Sequence, residues 1–203
     1  MLNQITPVLL TYNEEQNISR TLSHLAWAKD IVVVDSGSTD GTLATLAHFP
    51  NVRVFSRPFD THGKQWRYAT EETYIDTDWV LRLDADYQVS DALIAELARL
   101  DPNAAVSAYR VRFEYSVFSR KLFSSLYPPK TVLLRKGCFS VGDRGHSDVW
   151  EVHGPILTLK AAIVHDDWKP ISQCLRRNVY DGSMIGFETT KVTSFVGYGS
   201  DLH

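Results

Sequence analysis

Asp84 and Asp86 stand one residue apart at the end of the apolar run Trp79-Val80-Leu81-Arg82-Leu83. Carboxylates this close repel unless a proton or a cation joins them. A magnesium or manganese ion meets that need, because hard divalent cations take oxygen ligands and often keep phosphate oxygens of a substrate in their shell. Gln88 adds a neutral oxygen within reach. For an Asp-x-Asp pattern alone, a solvated turn with Asp84 capping a helix is the competing account. Asp35 also follows four apolar residues, and the glycines of Asp35-Ser36-Gly37-Ser38-Thr39-Asp40-Gly41 let a flat ring or a ribose come close to the backbone. An acidic side chain there can accept hydrogen bonds from a nucleobase or a sugar hydroxyl, or form an Asx-turn. Tyr12 can stack on a base or pack in the core. Lys64 and Arg67, after Gly63, can meet a diphosphate or lie on a solvated helix face.

These residues need elements that bring them together. Ile5 to Leu10 reads as a buried strand, and Asn13-Glu14-Glu15-Gln16 has capping-box spacing for a helix carrying Ile18, Leu22 and Leu25 on one face. The β-branched run Ile31 to Val34, the segment Val52 to Phe55 and the run Trp79 to Leu83 are further strands. Lys64 to Tyr74 is a helix candidate, and Ser90 caps another helix with Leu93, Ile94, Leu97 and Leu100. Alternating strands and helices predict a mostly parallel α/β sheet flanked by helices. Ligands of such sheets bind at the carboxyl ends of strands, so Thr11-Tyr12-Asn13-Glu14, the Asp35 loop and Asp84-Ala85-Asp86 are expected to share one crevice. After Asp101-Pro102 the pattern is less regular. Val106 to Tyr115 reads as an exposed or mixed strand and Thr131 to Leu134 as another.

With 203 residues, 44% of them hydrophobic, the chain has room for one substantial core, so one domain is expected. Residues 1–100 form its donor-binding half and 101–203 its acceptor-side half, with a natural C-terminus that extends further as an open alternative. A net charge of −3 argues against a nucleic-acid binder that works by neutralising phosphates. Two cysteines, Cys138 and Cys174, form no disulfide framework, which favours a reducing compartment. No run approaches the ~18 apolar residues of a membrane span, and the N-terminus lacks a signal-peptide pattern, so a cytoplasmic protein is expected.

Leu9-Leu10-Thr11-Tyr12-Asn13-Glu14-Glu15, Val32 to Thr42 and Leu81 to Gln88 together resemble the inverting family 2 glycosyltransferases. The resemblance implies the GT-A (nucleotide-diphospho-sugar transferase) fold, a nucleotide-diphosphate sugar donor and a magnesium or manganese ion. It assigns Thr11, Tyr12, Glu14 and Asp35 to the nucleoside, and the Asp84-Ala85-Asp86 turn to metal and donor. The Asp-Ala-Asp-x-Gln version is similar to that of polyprenyl-phosphate sugar synthases, in which the glutamine joins the metal shell. The second half lacks the Glu-Asp pair that supplies the catalytic base in many members. His165-Asp166-Asp167-Trp168-Lys169-Pro170 instead resembles a segment of bacterial envelope-sugar transferases.

A neutral imidazole at His165 can supply nitrogen to the metal, and Asp166 or Asp167 can take the proton from an acceptor hydroxyl. Asp143 and His146, in Gly142-Asp143-Arg144-Gly145-His146, are further candidates. An alternative casts His165 as a packed side chain and Asp166 as the cap of a helix near Ile171. The expected acceptor is an envelope glycan, such as a lipopolysaccharide core sugar, or a lipid-linked group. Phe113, Tyr115, Phe118, Phe123 and Tyr127, interspersed with Arg112, Arg120 and Lys121, either fill the core or form an acceptor or membrane-facing patch. Arg176-Arg177 can likewise face an anionic acceptor. A sugar nucleotidyltransferase is disfavoured because Leu9 to Glu15 holds no glycine or lysine. A non-catalytic nucleotide-sugar-binding module remains the second alternative.

Overall fold

In the computed structural model, β1 (Ile5–Thr11) is buried along nearly its whole length, as expected of a central strand covered on both faces. The structure describes residues 1–101, 103–117, 120–121, 128–144 and 147–168, with the side chains of 117, 120, 121 and 147 left aside. All of them belong to one compact unit, Met1–Trp168.

After β1 come α1 (Ile18–Ser23), β2 (Ile31–Asp35), α2 (Thr42–Leu46), β3 (Val52–Ser56) and α3 (His62–Glu71). The chain continues through β4 (Trp79–Asp84), β5 (Tyr87–Val89) and α4 (Asp91–Arg99). The remainder is β-rich: β6 (Ala108–Val117), β7 (Arg120–Lys121), β8 (Lys130–Arg135), β9 (Phe139–Arg144), β10 (Ser147–Val152) and β11 (Ile156–Asp167). Among the described residues, nine strands form one sheet in the order β3-β2-β1-β4-β8-β6-β11-β5, with β7 added to β6. The β3-β2-β1-β4 half is parallel. β8 runs antiparallel to β4 and β6, whereas β11 runs parallel to β6.

Side chains of β1 alternate between two cores, as the pleat requires. Ile5 and Leu9 join Leu22, Leu25, Leu93 and Leu97 under α1 and α4. Val8 joins Val32, Val34 and Val80 beneath Trp66 and Ala69 of α3. The β9–β10 hairpin lies against α3. Trp66 and Trp150 meet edge to face at 5.6 Å, and Arg82 reaches Asp148 at 3.1 Å while its guanidinium covers the Trp150 ring. Helix and hairpin approach so closely that a Cβ at Gly63 would lie 2.4 Å from the Gly142 carbonyl oxygen.

Local sequence signals fare unevenly. Ser90 caps α4, its Oγ accepting from the Leu93 amide at 3.2 Å. Asn13 does not cap α1: its φ of 54° is left-handed, and the helix begins after Asn17. Its side chain instead accepts from the Thr39 amide, because the loop after β2 competes for the same oxygen. β6 is an interior strand of the sheet. Val111, Phe113 and Tyr115 are buried, while Arg110 and Arg112 are exposed on the opposite face. Core packing therefore accounts for Phe113 and Tyr115. Phe118, Phe123, Tyr127 and Arg176-Arg177 lie outside the described residues. No helix among the described residues is long and apolar enough to cross a membrane.

Candidate active site

Strand register brings the three polar clusters side by side. Thr11, the last residue of β1, pairs with Asp35, the last of β2, and Leu10 pairs with Asp84, the last of β4. Thr11 Oγ1 donates to Asp35 Oδ1 at 3.1 Å. The Asp35 side chain also accepts from the Gly37 amide at 2.9 Å, the Ser38 amide at 2.8 Å and the Ser38 hydroxyl. A carboxylate offers about four lone-pair sites, and four donors of the protein itself occupy them. Asp35, 1% exposed, therefore shapes its own loop, and accepting a nucleobase donor would require giving up one of these bonds. Asp35→Ala should lower stability by about 2–4 kcal/mol, because two loop amides lose a charged acceptor. A midpoint drop of roughly 5–15 °C is the corresponding thermal-unfolding result.

Tyr12 is 55% exposed, so its ring is not core packing. Glu14 is buried, its amide donating to Thr42 Oγ1 at 2.8 Å and its Oε2 accepting from Asn17 Nδ2 at 3.0 Å. Lys64 lies in the first turn of α3, half-exposed, with Nζ 3.4 Å from Asp60 Oδ2. The next residue, Gln65, donates to Ser36 Oγ at 2.9 Å, which ties the start of α3 to the Asp35 loop.

Asp84 is exposed at its strand end, whereas Ala85 is buried with its carbonyl accepting from Thr21 Oγ1 at 2.6 Å. Asp86 Oδ2 lies 3.0 Å from His165 Nε2. Its other oxygen, Oδ1, is buried and has no hydrogen-bond partner. Burial pushes the His165 pKa down, but the hydrogen bond to Asp86 and the charges of Asp86, Asp84 and Asp167 outweigh it, so the imidazole stays protonated above its usual range. Tyr87 and Tyr115 flank the ring in T-shaped contacts, at 5.3 and 5.0 Å between centroids. Burial and the neighbouring Asp84 and Asp86 carboxylates push the Tyr87 phenol far above its usual range, so it remains a neutral donor.

This arrangement fits a divalent cation. The orphaned buried oxygen of Asp86 and the exposed carboxylate of Asp84 in the same turn are hard oxygen donors of the kind a magnesium or manganese ion takes, and His165 would join them through nitrogen only on giving up the proton it shares with Asp86. Among the described residues no three His, Cys, Asp or Glu side chains are already gathered as a ligand set. Gln88, the third expected ligand, lies in β5. It pairs with Val164, one position from the Tyr87–His165 pair, so the pleat turns it to the other face of the sheet from the His165 ring.

The carboxylates expected to act as base separate by environment. Asp166 is buried, with Oδ2 accepting from Arg20 at 3.0 Å and from the Trp168 indole at 2.8 Å. Asp167 is partly exposed, and its Oδ1 accepts from Asn17 Nδ2 at 2.8 Å. Asp143 sits elsewhere, accepting from the Gly63 amide at 2.8 Å and from Thr61 Oγ1 at 2.9 Å, where it joins the hairpin to the start of α3. His146 lies outside the described residues. Asn17, Arg20 and Thr21 escaped sequence reasoning, since they reach Asp166, Asp167, Trp168 and Ala85 far along the chain and their spacing at α1 reads as ordinary patterning.

Residues 7–147 match the sequence model named Glycosyl transferase family 2. The chain belongs to this family. As a family 2 chain it is 29% identical over 93 residues to the lipopolysaccharide core biosynthesis glycosyltransferase LpsC of Rhizobium meliloti (strain 1021), covering 44% of this chain and 34% of that protein. The match thus spans about a third of the length of the curated relative. The fold is similar to that of S. aureus TarS 1-349 in complex with UDP-GlcNAc, with a TM-score of 0.64 at 16% identity, covering 82% of this chain and 59% of TarS. It is also similar to glucosyl-3-phosphoglycerate synthase from Mycobacterium tuberculosis in complex with Mn2+, uridine-diphosphate and phosphoglyceric acid. There the TM-score is 0.52 at 14% identity, over 88% of this chain and 76% of that one. These likenesses establish the GT-A fold for this family 2 chain, with its curled mixed sheet.

Proposed function

We propose that this chain moves a sugar from a nucleotide-diphosphate sugar to a hydroxyl of an envelope glycan or lipid-linked acceptor, inverting the anomeric centre. The observation that carries the proposal is the register of β2, β1 and β4, which sets Asp35, Thr11 and Asp84 at adjacent strand ends beside the unpartnered Asp86 oxygen. The lipopolysaccharide relative supports the envelope acceptor, and the UDP-containing neighbours support a nucleoside-diphosphate donor.

In this mechanism the exposed Tyr12 ring stacks on the base, and Thr11, Glu14 and Asp35 hold the loops around the nucleoside. Asp86, and His165 once deprotonated, would hold a magnesium or manganese ion with Asp84 beside them, and the ion would supply charge neutralisation at the diphosphate. Lys64 adds a cation on the donor side. Asp167 accepts the proton as the acceptor oxygen attacks the anomeric carbon and the bond to the departing diphosphate breaks. Asp166 does not act as base, since its carboxylate is committed to Arg20 and Trp168.

The test combines the full chain, a panel of nucleotide-sugars with manganese, and either core oligosaccharide or a lipid-linked saccharide with free sugar hydroxyls. The expected result is free nucleoside diphosphate together with a glycosylated acceptor. Nucleotide-sugar binding with neither product would identify a binding module instead.

A further inference from the structure

Helix α1 touches both halves of the proposed site. Thr21 holds the Asp84-Ala85-Asp86 turn through the Ala85 carbonyl. One residue earlier, Arg20 spans three acceptors. Its Nη1 donates to Asp166 Oδ2 at 3.0 Å, and its Nη2 donates to the Asp166 carbonyl at 2.9 Å and to Asn17 Oδ1 at 2.8 Å. The guanidinium also lies 4.5 Å from the centroid of the Trp168 ring, whose indole N–H donates to the same Asp166 oxygen. Asn17 completes the bracket. Its Oδ1 accepts from the Trp168 amide at 2.9 Å, while its Nδ2 donates to both Asp167 Oδ1 and Glu14 Oε2.

We infer that Arg20 is a positioning residue: through Asp166 and Asn17 it fixes the carboxyl end of β11, so that His165 stays on Asp86 and Asp167 keeps its place at the site. The inference rests on the transfer function proposed above. Three considerations carry it. First, Asp166 is buried, with its side chain only 4% exposed, so a paired guanidinium is needed to keep its charge there. Second, His165 and Asp167 flank Asp166 directly in the chain, and the Asp166 amide lies 3.3 Å from the Asp86 carbonyl oxygen. A shift of Asp166 therefore moves both neighbours and loosens the Asp86 turn. Third, the planar fork of arginine reaches a carboxylate oxygen, a carbonyl and an amide oxygen at once, which the single ammonium of lysine does not reproduce. Because Asn17 also binds Glu14, the same bracket joins the donor-side loop to β11.

The experiment compares Arg20→Ala and Arg20→Lys with the wild-type full chain. In Arg20→Ala, kcat is expected to fall about 30-fold or more, a size typical of a misplaced catalytic group, while the donor KM changes by less than about threefold. Arg20 is 27% exposed at its side chain, so guanidinium ion added to the assay can enter the vacated place and should restore a measurable part of kcat. Arg20→Lys should restore less. A readout independent of turnover is the indole N–H resonance of Trp168, assigned with Trp168→Phe, which should shift in Arg20→Ala and return toward wild type with guanidinium. An unchanged kcat, or a loss confined to donor KM, overturns the inference. So does a loss in a cooperatively unfolding variant that guanidinium does not restore. If wild-type protein forms no glycosylated acceptor, the transfer reading fails instead, and an unmoved Trp168 resonance then separately overturns the bracket. If Arg20→Ala does not fold, Arg20→Lys carries the same kinetic and spectroscopic comparison.

Discussion

Asp86→Asn is expected to reduce metal-dependent transfer by about a thousandfold or more, close to 4 kcal/mol in transition-state stabilisation, while the protein stays folded. The expected loss follows from the two oxygens of this side chain. One lies against His165, and the other is buried with no partner, poised to ligate a cation. An amide supplies neither the charge nor two equivalent oxygens, so affinity for manganese and neutralisation of the diphosphate fall together. Stability should change by less than about 1 kcal/mol. The lost attraction to His165 is offset by removal of a buried charge that is only half paired. Calorimetric titration with manganese, thermal unfolding and transfer assays check the three claims separately. Transfer that keeps its manganese dependence in this variant would sink the metal assignment.

The strand ends that carry Thr11, Asp35 and Asp84 were legible in the sequence because their signals are local. A strand of apolar residues that stops at Asp35 or Asp84 announces a sheet end, and parallel register then does the rest, setting Thr11 opposite Asp35 and Leu10 opposite Asp84. The helices near this end were legible where propensity and burial agreed. Ser90 caps α4 and buries Leu93 and Leu97 as its spacing requires. Asn13 shows the opposite case. Its type and spacing suit a helix cap, but Thr39 and Ser38 claim its side chain and amide across 26 and 25 residues.

Most of the second half was opaque for a physical reason. The β9–β10 hairpin lacks strong strand alternation because it is held by contacts to α3, among them the Trp66–Trp150 pair and the Asp143 links to Gly63 and Thr61. For Asp143 the segment Gly142 to His146 left catalysis and a plain loop role both open, and contacts 80 and 82 residues away, which no spacing shows, join its carboxylate to Gly63 and Thr61 at the start of α3. The Arg20–Asp166 pair spans 146 residues, and no spacing rule reaches across that distance. Likewise, the long strand β11 hid inside a segment where only Ala161 to Val164 is continuously apolar, because one of its edges carries the short β5 and its far end is solvated.

Asp167→Asn should slow the chemical step by about 10²–10⁴-fold in single-turnover measurements with donor saturating, the range expected on losing a general base. The asparagine keeps an oxygen to accept from Asn17, so the bracket around Trp168 survives and donor affinity should stay near that of wild type. Asp143→Asn is the contrasting variant. Its side-chain oxygen can still accept from the Gly63 amide, and in the proposed mechanism Asp167 takes the proton, so its chemical step should remain within about threefold of wild type. Asp166→Asn slows the step by a different route, since it loosens the hold of Arg20, and its defect should combine with Arg20→Ala less than additively. If Asp143→Asn abolishes the step while Asp167→Asn leaves it intact, the base lies on the hairpin and the acceptor approaches along α3. The opposite pattern places the attacking hydroxyl beside β11, where the strand end, the α1 bracket and the Asp86 turn come together.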